Sequence, residues 1–108
     1  MRYEIVLAPE AEEDLDQLKA NLRSAVLTAL ERHLRREPTK ISRSRIKRLR
    51  GLSRPQYRLR VGDEIRVFYD VTNDAVEVLA VVEKSQAGEW LERQGEGDEE
   101  GGAVRDQG

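Results

Sequence analysis

Three arginines have the clearest chemical potential in this sequence. They are Arg58, Arg60 and Arg66, in the stretch KRLRGLSRPQYRLRVGDEIRVFYDV from Lys47 to Val71. Arginine stays charged at any working pH, and its planar fork of donors matches carboxylate and phosphate oxygens. Whether the three act together depends on which way each points. In an extended run Tyr57, Leu59 and Val61 fall on one side, with Arg58 and Arg60 on the other. Ile65, Val67, Tyr69 and Val71 likewise alternate with Arg66, Phe68 and Asp70. A two-residue loop at Gly62 and Asp63 would set Arg60 opposite Ile65. An odd loop, Gly62 to Glu64, sets Val61 opposite Ile65 and Arg60 opposite Arg66. The odd loop is expected, because a slip of one residue turns every side chain to the wrong face. The hairpin then has one apolar face and one carrying Arg58, Arg60 and Arg66. A lone arginine there is ordinarily a solvated strand residue. Like charges opposed on a sheet repel, so three beside a basic loop point to an anionic ligand, either a phosphate backbone or an acidic protein segment.

The neighbouring stretch Thr39 to Pro55 carries Lys40, Arg43, Arg45, Lys47, Arg48, Arg50 and Arg54. Lys47, Arg48, Arg50 and Arg54 are the candidates for contacts to a nucleic-acid backbone. Glu83, Lys84 and Ser85 follow the last apolar run, where acid–base groups could stand beside the arginine face; each alone reads as a charged strand end or a helix cap. His33 is the single histidine and reads as a partly exposed helix residue. Trp90 and Tyr57 read as packing residues, and Tyr69 as a core ring whose hydroxyl can reach an edge. There is no glycine-rich phosphate loop, metal-ligand cluster or nucleophile elbow, so neither cofactor nor metal is expected.

The elements that must position these groups follow from periodicity. Arg2 to Leu7 alternates and predicts a strand. Pro9 suits a first helical turn, and Glu10, Glu12, Glu13 and Asp14 suit its positive end. Leu15, Leu18, Leu22, Val26, Ala29, Leu30 and Leu34 recur at helical spacing. They allow one long helix, or two with Asn21 capping the second; two are preferred. Pro38 ends the helical region. Ile46 and Leu49 pin the basic stretch to the core, as one helical turn. A turn is expected at Gly51 and another at Thr72 to Asp74. Val76 to Val82 is apolar on both faces except for Glu77, as in a central strand. Ser85 could cap a short helix through Trp90, Leu91 and Arg93. The result is an α+β domain over residues 1–93, with helices on one face of a mostly antiparallel sheet.

With 108 residues the chain holds one domain. It has no cysteine, no apolar run of signal-peptide length and no run approaching a membrane span, so a soluble cytoplasmic protein is expected, with no membrane partner. The net charge of −2 conceals an asymmetry. Residues 32–66 hold thirteen Lys/Arg against three Asp/Glu, whereas 94–108 hold five acids and one arginine. That tail, QGEGDEEGGAVRDQG, has only Ala103 and Val104 as apolar residues and is expected to be disordered, so that deletion after Arg93 leaves thermal stability nearly unchanged.

Taken together, Arg48-Leu49-Arg50-Gly51, Tyr57-Arg58-Leu59-Arg60, Ile65-Arg66-Val67-Phe68-Tyr69 and Val81-Val82-Glu83-Lys84 resemble the RelE/ParE superfamily of toxins from bacterial type II toxin–antitoxin modules. The order of elements from Arg2 to Arg93 agrees. The resemblance implies a RelE-like domain with an N-terminal strand, a helical hairpin, a three-stranded antiparallel meander and a short C-terminal helix. For RelE-like members it implies an endoribonuclease, an mRNA interferase that inhibits translation by cutting messenger RNA in the ribosomal A site. There the 2′-hydroxyl attacks the adjacent phosphate and leaves a 2′,3′-cyclic phosphate. For ParE-like members it implies poisoning of DNA gyrase. A third outcome is a catalytically inactive module that only binds its antitoxin. In every case the implied partner is a cognate antitoxin. By resemblance Arg58 and Arg60 take the basic hairpin positions, Arg66 that of the arginine that stabilises the transition state, and Lys84 lies near the C-terminal basic position, with Ser85 where an arginine is expected. These four are the candidate catalytic residues. Leu91 stands where RelE-like toxins carry a late tyrosine.

Overall fold

The computed structural model describes residues 1–97. Its frame is a five-stranded sheet in the order β1-β6-β5-β4-β2. The strands are β1 (Glu4–Leu7), β2 (Ile46–Arg48), β4 (Tyr57–Val61), β5 (Ile65–Val71) and β6 (Ala75–Glu83). The meander β4-β5-β6 is antiparallel, and β1 runs parallel to β6. β2 pairs antiparallel with β4, so the basic stretch supplies a strand where a helical turn was expected. The reason is local: Ile46 enters the core and the backbone of Lys47 and Arg48 completes an edge that β4 would otherwise leave open. The hairpin has the expected odd register, with Val61 opposite Ile65 and Arg60 opposite Arg66. Gly51 and Gly62 both take positive φ at the two turns.

Helices α1 (Pro9–Gln17) and α2 (Ala20–Ala29) cover one face, and α2 runs on into a π turn, Leu30–Leu34. Ala11, Leu15, Val26, Leu30 and Leu34 pack there on Leu59, Ile65, Val67, Tyr69, Val76 and Val81. The hydroxyl of Tyr69 donates to the Pro38 carbonyl at 2.7 Å, inside the core. The two helices are separate, as expected, but the joint lies at Leu18 and Lys19 rather than at an Asn21 cap. What holds it is Arg23, whose guanidinium donates to the carbonyls of Leu15, Asp16 and Leu18 at 2.9, 3.1 and 2.9 Å. These are carbonyls that a helix end leaves without partners.

The opposite face is not left open. The pairing of β5 with β6 shifts by one residue beside Phe68 and Tyr69, and the extra residue on β6 lets Leu79 and Ala80 both join Phe68. Helix α3 (Lys84–Gln94) covers this second apolar cluster. Its N-cap is Glu83; Ser85 lies inside the helix and makes no side-chain cap. The Trp90 ring stacks on Phe68, centroids 5.0 Å apart and planes within 5°. Helices therefore sit on both faces, because the bulge gives the second face apolar residues that need cover. The first residues assigned to the tail belong to the domain. Gln94 closes α3, and β7 (Glu96–Gly97) pairs antiparallel with β3 (Leu52–Arg54). The rest of the expected disordered segment lies outside the described residues.

Candidate functional site

The register places the charged groups in rows across the second face. Lys47 stands opposite Arg58, Arg58 opposite Phe68, and Phe68 opposite Ala80. In the next row Arg60 stands opposite Arg66, and Arg66 opposite Val82. Lys47, Arg58, Arg60 and Arg66 thus share one surface, bounded by the apolar cluster under Trp90.

Each of the four is held differently. Arg66 is buried, 7% exposed, and its Nη1 donates to the carbonyl of Ile65 at 2.9 Å and to that of Asp63 at 3.4 Å. The hairpin's own backbone therefore aims it. Arg60 is held at the tip, with Nε on the Gly62 carbonyl at 3.0 Å and Nη2 on Asp63 at 2.5 Å. Arg58 is half-buried, and its Nε is enclosed without a hydrogen-bond partner. Burial, then the charges of Arg66 and Arg60, pull the Arg58 guanidinium below its ordinary value. Lys47 is exposed. Among the described residues neither Arg58 nor Arg66 forms an ion pair. Cations packed together with a donor left over are an anion site in electrostatic terms.

The other candidates diverge. Arg48 pairs with Tyr57 and turns to the opposite side, its guanidinium 5.3 Å from that ring's centre and donating to the carbonyls of Leu49 and Gln56. Arg54 is bound to Asp70 at 3.1 Å and Glu77 at 3.4 Å, at the far end of the second face. Burial holds the Asp70 carboxyl above its ordinary value, against the hydrogen bond from Gln56 N–H and the charge of Arg54. Arg50 is exposed on the turn. Lys84 is exposed at the start of α3, where it lines a hollow with Asp63, Glu64, Glu83 and Ser85 that none of the three arginines enters. The structure therefore groups Arg58, Arg60 and Arg66 with Lys47, turns Arg48 and Arg54 to other partners, leaves Arg50 exposed on the turn, and puts Lys84 just beyond the hairpin tip, in a hollow shared with Asp63, to which Arg60 and Arg66 both donate.

His33 is half-buried on the π turn, lowered by burial and by Arg45 and Arg32, and far in sequence from the hairpin. Trp90 and Tyr57 are both stacked, on Phe68 and on Tyr69, so neither ring is available to a base. Among the described residues no cluster of His, Cys, Asp or Glu could hold a metal ion, and no helix is long and apolar enough to cross a membrane. Chemically, the surface can bind phosphate oxygens and stabilise added negative charge. The groups able to carry a proton, Glu64, Glu83 and Lys84, gather beyond the hairpin tip.

Sequence reasoning missed two contacts that fix α3 and α1 beside this surface. Trp90 Nε1 donates to Glu10 at 2.8 Å, and Val81 N–H donates to Asp14 at 2.9 Å where β6 extends beyond β1. The only signal was the acidic first turn, which a helix dipole already explains.

A family model described as the ParE toxin of type II toxin–antitoxin systems, parDE, matches residues 5–88. Comparison with curated proteins gives no match. Among solved structures, the RelBE2 toxin–antitoxin complex from Mycobacterium tuberculosis aligns at TM-score 0.61 and 24% identity, over 78% of this chain and 100% of that one. The RelB-RelE complex from Methanococcus jannaschii gives 0.60 and 18%, over 80% and 98%. The YoeB dimer from Staphylococcus aureus gives 0.54 and 19%, over 76% and 97%. At these identities the structures speak to the fold alone, and it is the α+β fold of RelE-like toxins. The family model covers most of the chain, including β4, β5 and β6 with their arginines, and on that ground the chain belongs to the ParE toxin family of type II toxin–antitoxin systems, within the RelE/ParE superfamily.

Proposed function

We propose that this toxin acts through the Lys47/Arg58/Arg60/Arg66 surface on the phosphates of messenger RNA at the ribosome, as an endoribonuclease that inhibits translation. The observation that carries this reading is the Arg58 Nε, enclosed beside Arg66 without a protein acceptor. A phosphate oxygen is the ligand that would satisfy it. In the cleavage step the 2′-oxygen forms a bond to the adjacent phosphorus and the P–O5′ bond breaks, leaving a 2′,3′-cyclic phosphate and a 5′-hydroxyl. Arg58 and Arg66 hold the phosphate and stabilise its extra negative charge, and Lys47 and Arg60 hold the flanking backbone. The proton lost by the 2′-hydroxyl and the one gained by O5′ need a carrier other than arginine. Glu83 and Lys84, at the end of β6, or the ribosomal RNA take that part. A cognate antitoxin covers the same surface with carboxylates, so antitoxin and RNA compete.

A second reading, inhibition of DNA gyrase, is favoured by the family model itself and by the arginines being unable to carry the proton that cleavage requires. Induced expression separates the two. Cleavage predicts new 5′ ends in messenger RNA by primer extension, and relief of toxicity by Arg58→Gln or Arg60→Gln in a folded protein. Toxicity with intact messenger RNA and altered plasmid supercoiling would replace the first reading by the second.

A further inference from the structure

We propose that the hollow between the π turn and the loop leading into β2 is a second phosphate subsite, and that an RNA strand on the arginine surface continues past Arg45 into it. The proposal rests on the phosphate-binding reading of that surface and extends it to residues 32–45. Three observations carry it.

The first is continuity. The Arg60 N–H donates to the Arg45 carbonyl at 2.9 Å, so the pairing of β2 with β4 runs one residue further and holds Arg45 beside Arg60. Arg45 then lines two hollows. One, of about 300 Å³, it shares with Arg60, Ser44 and Asp63. The other, of about 210 Å³, it shares with Arg32, His33, Lys40 and Ser42. One arginine thus joins the tip of the arginine surface to the π turn, and a strand with a charge on every nucleotide can occupy both in succession. The second is charge. Arg32, Lys40 and Arg45 are exposed, and Glu37 is the one carboxylate lining the second hollow. It lies 3.8 Å from Lys40, and among the described residues neither Arg32 nor Arg45 forms an ion pair. The excess is positive, as an anion site requires. The third is the build of the loop. Ser42 N–H donates to the Ile46 carbonyl at 3.0 Å, and Ser42 Oγ accepts from the N–H groups of Arg45 and Ile46 at 2.9 and 3.0 Å. These bonds fix the loop that carries Arg45 and leave the Ser42 hydroxyl proton to donate into the hollow.

His33 makes the subsite responsive to pH. Burial, then the charges of Arg45 and Arg32, hold its imidazole below the ordinary value. Lys40 and Glu37, the other charged groups lining the hollow, are opposite in sign. A phosphate between the cations offsets the two arginines and favours the imidazolium, so binding takes up a proton and strengthens as pH falls. His33 is the single histidine, so its ring signals need no assignment. The experiment titrates those signals by NMR in the full chain, free and saturated with a twelve-nucleotide oligouridylate. The midpoint should rise by about half a pH unit or more in the complex. Affinity should gain about threefold between about pH 7.5 and 5.5, a gain that His33→Gln removes. Arg32→Gln with Lys40→Gln, both exposed, should weaken binding by about fivefold and make the slope of log affinity against log salt shallower by about one. A midpoint that stays put while RNA binds overturns the subsite and leaves the arginine surface as the whole site. A midpoint that rises while the double variant keeps both affinity and slope also overturns it, because the field of RNA on the arginine surface then suffices. A twelve-residue oligoglutamate that moves the midpoint where oligouridylate does not would reassign the hollow to an acidic protein segment and overturn the RNA subsite. If Arg58→Gln leaves oligouridylate affinity unchanged while the His33 response persists, the subsite stands and the reading of the arginine surface falls. Absence of any oligouridylate binding overturns both.

Discussion

The stack of Trp90 on Phe68 sets how firmly α3 closes the second face, and a Phe68→Leu substitution measures it. Phe68 is fully buried and Trp90 is 5% exposed, with centroids 5.0 Å apart and nearly parallel planes. Losing the aromatic pair costs about 1 kcal/mol beyond area. Exchanging the ring for the smaller aliphatic chain leaves a void of roughly 25 Å³, worth about 0.6 kcal/mol more. The total is about 1.5 kcal/mol, or a fall in Tm of roughly 6–12 °C for a domain of this size. Trp90 is the single tryptophan, so its fluorescence reports the stack while circular dichroism reports the sheet. In the variant the fluorescence transition should fall at lower urea than the dichroism transition, because α3 loosens before the five-stranded sheet melts. A loss below about 0.5 kcal/mol with coincident transitions would show that the Glu10 hydrogen bond and the β3–β7 strap, not the stack, hold the helix.

The remaining expectations test separate links. Tyr69→Phe leaves the buried Pro38 carbonyl without its donor and should cost about 1–3 kcal/mol in urea denaturation; an unchanged midpoint would mean that water replaces the hydroxyl. Burial raises the Asp14 carboxyl, so the folded state holds that proton more tightly, and stability falls as pH rises from the ordinary value of 3.8 through the raised one. Asp14→Asn, still able to accept from Val81 N–H, should melt higher than the parent at neutral pH and lose that advantage below the ordinary carboxylate value; an equal advantage at both pH values would sink the argument. A chain cut after Arg93 loses the last residue of α3 and the pairing of Glu96 and Gly97, and should melt a few degrees below one cut after Gly97. Arg58→Met removes an enclosed donor that has no partner, and should raise stability by about 1 kcal/mol while abolishing oligonucleotide binding; a less stable variant would show that the guanidinium is satisfied by water.

The hairpin was legible because only one register keeps Leu59, Ile65 and Val67 inside, and that register carries the three arginines to one surface. The first strand, the two helices and the turns at Gly51 and Thr72 to Asp74 were legible from period and punctuation. β2 was not, because Lys47 and Arg48 are adjacent cations between Ile46 and Leu49, a spacing of three that reads as a helical turn and offers no alternation. Without β2 there was no means of ranking Lys47 above Arg48, although the register sends one to the arginine surface and the other onto Tyr57. The bulge on β6 was hidden because its surroundings are apolar at every position, so a shift of one residue leaves no mark in the pattern. The position of α3 depends on that bulge and was hidden with it. Asp14 and Glu10 read as dipole acids of α1, whereas their partners Val81 and Trp90 are 67 and 80 residues away.

These hidden features divide the second face into three zones along the strands. At the tip, Arg60 and Arg66 are aimed by the hairpin's own carbonyls and by Asp63. At the far end, Asp70 and Glu77 are bridged by Arg54. Between them lies the dry patch of Phe68 under Trp90. Arg58 borders that patch, and its guanidinium therefore has fewer waters to solvate it and a stronger field to offer an anion than an arginine on an open strand. A sheet built for stability alone would exchange that arginine for an apolar residue and extend the cluster. Its presence beside Arg66, with no carboxylate against either of them among the described residues, is the feature that stability does not explain and that the proposed anionic ligand would. The bulge and the strap that place α3 thus act on the site indirectly: by keeping one side of Arg58 dry, they make the charge available to whatever phosphate or carboxylate approaches from the other.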